Sequence, residues 1–62
     1  MRKFTTYDLA YICYYSEKIS LAEIGRSFSP NLSLITIQLL INHLKEEKKF
    51  DYYKEYYVKL LE

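Results

Sequence analysis

Residues 19–44, ISLAEIGRSFSPNLSLITIQLLINHL, decide the fold. Ser20 is a good helix cap, and Glu23 three positions on completes the pattern of a capping box. Ile19 before the cap can staple onto Ile24. The helix that starts there is short and ends near Phe28, because Pro30 disfavours helical backbone at Ser29. Ser29-Pro30-Asn31 then reads as a turn. A longer helix follows, capped by Asn31 or Ser33 and running to about Lys48. Ile37, Leu40, Ile41, Leu44 and Lys48 share one face of it, with Leu34 beside them. A short capped helix, a small residue at Gly25, a tight turn and a longer amphipathic helix are the sequence form of a helix-turn-helix. Leu21, Ile24 and Phe28 are expected under Ile37 and Ile41, with Gly25 allowing a close crossing.

Outward from this pair the chain is helical on both sides, since its single Gly and single Pro both lie inside it. Ahead of it, Thr5 caps a first helix, Asp8 completes a capping box and Phe4 can staple onto Leu9. That helix runs to about Ser16. Beyond the pair, a fourth helix is expected from Asp51, as cap, to Leu61. The phrase FDYY there also suits a strand, so a two-stranded wing is the competing expectation. The reading is a single all-α domain over residues 1–62. It has a three-helix helix-turn-helix core at 4–48 and a C-terminal helix at 51–61. The expected core is Leu9, Ile12, Ile24, Phe28, Ile37, Ile41 and Leu44.

Sixty-two residues make one small domain, which buries only about 60% of its unfolded surface. Cys13 is the only cysteine and His43 the only histidine. An intramolecular disulfide and a protein zinc site are therefore excluded. With 50% hydrophobic and 27% charged residues the chain is too apolar for disorder. Its apolar runs are too short to span a membrane. The opening Met-Arg-Lys-Phe-Thr-Thr lacks the apolar stretch of a signal peptide. A cytoplasmic protein with one reduced thiol is expected. The abundance of Tyr, Ile and Lys fits an AT-rich genome, such as that of a virus or mobile element. Cys13 lies on the core face of the first helix, where a small buried hydrophobe is expected. With His43 as its only candidate base, no catalytic arrangement, cofactor or small-molecule substrate is expected.

The string Lys3-Phe4-Thr5-Thr6-Tyr7-Asp8 resembles the Lys-Trp-Thr-x-x-Glu opening of Myb/SANT-like domains, with Phe4 in the first aromatic position. Ser20 to Phe28 is similar to their second helix, and Ile37 and Leu44 fall where they place core residues of the third. The resemblance covers roughly residues 3–45. It implies a three-helix unit that binds double-stranded DNA with its third helix in the major groove.

The residues themselves allow the same reading. Gln38 and Asn42, four apart, project together from the outward face of the third helix and suit the N6/N7 edge of adenine, while Ile35 or Leu39 suits a thymine methyl. Lys45 and Lys49 would reach phosphates, as would Arg26 and a basic arm of Arg2 and Lys3. The alternative is a protein-interaction module that binds a host protein through Ile35 and Leu39 or through tyrosines. The net charge of +1 favours the alternative. All eight tyrosines lie within residues 7–15 and 52–57. Tyr7, Tyr11 and Tyr14 face away from the Leu9/Ile12/Cys13 side of the first helix. Tyr53, Tyr56, Tyr57 and Leu60 share a face of the last. A helix apolar on both sides needs cover on both. The stripe Tyr53, Tyr57 and Leu60 is expected to cover the stripe Tyr7, Tyr11 and Tyr14, within one chain or across two, and a homodimer that involves these stripes is expected.

Overall fold

The computed structural model describes residues 3–62, so Arg2 of the expected basic arm lies outside the described residues. Four helices, α1 (Thr6–Tyr15), α2 (Leu21–Arg26), α3 (Leu34–Glu46) and α4 (Phe50–Leu61), make up an all-α fold, with no strand among the described residues. The FDYY segment is helical.

The caps explain where α1 to α3 begin. The Thr5 hydroxyl accepts from the Asp8 N–H, and the Asp8 carboxylate accepts from the Thr5 N–H, each at 3.1 Å. At α2 only half of the expected box forms: the Ser20 hydroxyl accepts from the Glu23 N–H at 3.2 Å, with no bond back from Glu23. Of the two candidate caps for α3, Ser33 is used, accepting from the Thr36 N–H.

The connection between α2 and α3 spans residues 27–33 and contains a cis Ser29–Pro30 peptide. That is longer than the three or four residues usual in a helix-turn-helix. It is held against α2 at Gly25. The Leu32 N–H donates to the Gly25 carbonyl at 3.0 Å, and a Cβ at position 25 would run into the Leu32 carbonyl oxygen. The small residue thus admits the returning backbone of the connection first, and the Ile37 side chain, 3.3 Å from that Cβ position, second.

The end of α3 and the start of α4 differ from expectation. Lys48 stands just past α3, in left-handed backbone at φ 59°, and does not continue the core stripe. The Lys49 N–H bonds the Leu44 carbonyl at 2.9 Å and the Lys48 N–H bonds the Lys45 carbonyl at 3.1 Å. Those two bonds are a Schellman motif, a helix stop that usually takes glycine at the left-handed position. The turn leads directly into α4, which starts at Phe50. Asp51 therefore lies in the first turn and not at the cap, and no side chain caps this helix. Burial of the Phe50 ring accounts for the earlier start.

The core gathers Ile12, Cys13, Ile24, Phe28, Ile37, Ile41, Leu44 and Phe50, with Leu9 half-buried against it. Leu34 does not join it. It opens α3 and is exposed, and the buried side chains of that helix begin at Ile37.

The most extensive helix contact joins α1 to α4. Its centre is Tyr57, buried, with its ring centroid 5.7 Å from Tyr7, 6.0 Å from Tyr11, 4.9 Å from Tyr14 and 5.5 Å from Tyr15. Tyr11 also stands edge-on to Phe28 at 6.0 Å and donates its hydroxyl hydrogen to Ser27 Oγ at 2.9 Å, so this stripe runs into the core. Lys54 Nζ meets Glu17 Oε1 at 3.0 Å and ties α4 to the turn after α1. The tyrosine stripes therefore cover one another within one chain. Leu60 takes no part and is exposed, while Tyr53 is half-buried against the core.

Candidate nucleic-acid interface

The helix periodicity that buries Ile37, Ile41 and Leu44 turns Ile35, Gln38, Leu39, Asn42, Lys45 and Glu46 to solvent, and all six are exposed. No other helix covers this face. Ile35 is 68% and Leu39 62% exposed. They occupy its middle, with Gln38 and Asn42 along one edge and His43 along the other.

Gln38 Nε2 donates to Asn42 Oδ1 at 3.0 Å. The bond aligns the two amides and still leaves each with donor and acceptor positions open.

The cations are arranged less simply. Lys45 folds back so that its Nζ lies 4.9 Å from the centroid of the Phe50 ring, a cation–π contact that aims it toward α4. Together with Lys48, Glu17, Phe50 and Asp51 it lines an open hollow of about 530 Å³. Lys49, the residue before α4, is exposed, as are Lys3 and Arg26. Arg26 stands in the last turn of α2, a favourable place for a cation, and has no ion-pair partner among the described residues. Glu46 and Glu47 are exposed near the same end of α3. The structure thus brings Ile35, Gln38, Leu39 and Asn42 together on one face. Lys45, Lys48 and Lys49 are placed around the α3–α4 turn, and Lys3 and Arg26 lie on other elements. Leu34 and Lys48, read from the sequence as core-side residues and not as site residues, are both exposed. The Ser33 cap, which puts Leu34 in the first helical turn, was the available signal for one of them.

Cys13 is fully buried. Burial, with a smaller contribution from Asp51, pushes its thiol up to about 11, which leaves it protonated at neutral pH and unlike an activated nucleophile. The Tyr57 hydroxyl is held above the ordinary phenol range by the Tyr7 hydroxyl, by burial and by the Tyr15 hydroxyl, in that order. Among the described residues no three His, Cys, Asp or Glu side chains are grouped to hold a metal ion. No helix there is long and apolar enough to cross a membrane.

No family model, curated protein or solved structure matches this chain.

Proposed function

We propose that the chain is a sequence-reading DNA-binding protein of the helix-turn-helix type, acting in transcriptional regulation. The reading rests on one observation: α3 carries an uncovered face on which Gln38 and Asn42 are already aligned by a hydrogen bond of 3.0 Å. The aligned amides suit adenine in the major groove, and Ile35 and Leu39 beside them suit thymine methyls. Lys3, Arg26, Lys45 and Lys49 supply phosphate contacts around the edge. The resemblance of residues 3–45 to Myb/SANT-like domains agrees with this use of the third helix. A virus or mobile element, acting in the cytoplasm of its host, is the proposed setting.

The test is duplex binding measured at two salt concentrations. Gln38→Ala or Asn42→Ala should lose about 1–3 kcal/mol on the preferred site and relax sequence preference there. Lys45→Ala or Lys49→Ala should weaken binding to all sequences alike and flatten its salt dependence. Absence of salt-dependent binding to any duplex at low ionic strength would overturn the reading. A second reading, a contact with a host protein, is favoured by the exposure of Ile35 and Leu39 next to the acidic Glu46. On that reading Ile35→Asp and Leu39→Asp abolish activity and Gln38→Ala is silent.

A further inference from the structure

The side of α4 turned away from α1 carries two neighbouring stripes, each stepped by four residues. One is Tyr52, Tyr56 and Leu60; the other is Asp51, Glu55 and Lys59. Tyr52 is 61%, Tyr56 38% and Leu60 52% exposed. Five of these six side chains line an open hollow of about 500 Å³ that continues along the helix. No member of the charged stripe forms an ion pair, since the only one among the described residues is Lys54–Glu17. An apolar stripe beside a charged one is the pattern of a helix that meets another helix.

The order of charges identifies which helix. Read along α4 it is acid, acid, base. Laid antiparallel against itself, it brings the base of each copy beside both acids of the other, and the two Glu55 carboxylates are the one like-charged approach. We propose that this face of α4 pairs antiparallel with the same face of a second copy of the chain, about a twofold axis at Tyr56.

In an isologous contact of this kind a residue n places before Tyr56 lies level with the residue n places after it in the partner copy. Tyr52 is then level with Leu60 of the other copy, and the two Tyr56 rings meet on the axis. Lys59 of the other copy falls level with residue 53, about 3 Å along the axis from both Asp51 and Glu55 at a rise of 1.5 Å per residue. Each lysine is thus shared between two carboxylates, and the aromatic stripe is covered along its length. A foreign helix would need the same charge order by coincidence, whereas a second copy carries it. This contact differs from the tyrosine layer around Tyr57, which α1 and α4 complete inside one chain. It does not depend on DNA binding.

Sedimentation equilibrium of the full chain tests it, across concentrations and at low and high salt. The wild type should associate to a dimer that salt weakens. Lys59→Glu should raise the dissociation constant by about tenfold or more, and Asp51→Lys with Glu55→Lys should do the same. An equimolar mixture of those two variants should recover the dimer, because the charges complement again. Tyr56→Asp should leave a monomer of unchanged helical circular dichroism, since the side chain is outside the core. A chain that stays monomeric up to about millimolar concentration, the weak end of specific association, would overturn the proposal. A dimer insensitive to Lys59→Glu and Tyr56→Asp, or charge-reversed variants that fail to pair with one another, would overturn it equally.

Discussion

The α1–α4 layer and the outward face of α3 both carry apolar side chains and treat them in opposite ways. In the layer, four tyrosines of α1 converge on Tyr57 at centroid distances of 4.9 to 6.0 Å, and the central ring is buried. On α3, Ile35 and Leu39 stand largely in solvent. The layer supplies stability that a chain of 62 residues cannot draw from one small core. The α3 face supplies none, so its side chains are free to be chosen for a partner. Tyrosine suits the first task because its ring buries while its hydroxyl keeps polar partners at the edge.

Substitutions in the two regions should separate sharply. Tyr57→Ala should cost about 3–5 kcal/mol, the range for large aromatic truncations in cores, and that is enough to unfold a domain of marginal stability. The double change Ile35→Ser and Leu39→Ser should move stability by less than about 0.5 kcal/mol, as exposed substitutions do. Thermal melts followed by circular dichroism give both values, and comparable losses at the two places would break the contrast.

Gly25→Ala probes what lies under the open face. The added methyl meets the Leu32 carbonyl, a backbone atom that cannot rotate away, and an overpacking cost of about 1–3 kcal/mol is expected. Denaturant unfolding checks it.

Alkaline pH sharpens the contrast from the closed side. The Cys13 thiol rises from an ordinary 9.0 to about 11 in the fold, mainly through burial, and the Tyr57 phenol rises above 10.0, mainly through the Tyr7 hydroxyl. Both groups are neutral when protonated and keep their protons longer folded than unfolded. The Cys13 contribution to stability is therefore complete below pH 9.0 and is lost as the pH climbs through about 11, whereas the Tyr57 contribution is complete below pH 10.0 and is lost above it. A phenolate absorbance titration should show a step above the ordinary phenol range that Tyr57→Phe removes.

A small effect of the opposite sign is expected at Lys48. Glycine there relieves about 1–2 kcal/mol of left-handed strain and costs about 0.5–1 kcal/mol in unfolded-chain entropy. Lys48→Gly should therefore stabilise by roughly 0.5 kcal/mol, visible as a small rise in melting temperature.

What the sequence made legible was local. Thr5 with Asp8, Ser20, and Ser33 as one of two candidates with Asn31, marked three helix starts, because a cap is a contact between residues three apart. The i, i+4 placement of Gln38 and Asn42 was legible for the same reason. The end of α3 was not, because a lysine occupies the position where glycine would have marked the stop. The start of α4 was misplaced by one residue, because Asp51 imitates a cap while the burial of Phe50 depends on contacts with distant core residues. The contact of Lys45 with the Phe50 ring was not legible, because it depends on where α4 lies. The pairing of the two tyrosine stripes was readable from their spacing. Whether one chain or two would complete it was not, because connection geometry decides that and side-chain pattern does not.

The bond from the Leu32 amide to the Gly25 carbonyl, and the close seat of Leu32 on that glycine, change the mechanical character of the seven-residue connection. A loop of that length would ordinarily act as a hinge. Fastened near its far end to the buried last turn of α2, it acts as a bracket, so α2 and α3 move as one body. The orientational freedom of α3 is then given up when the chain folds and not when a partner arrives. An interface presented this way meets its target without a separate ordering step, which removes one of the usual losses in affinity.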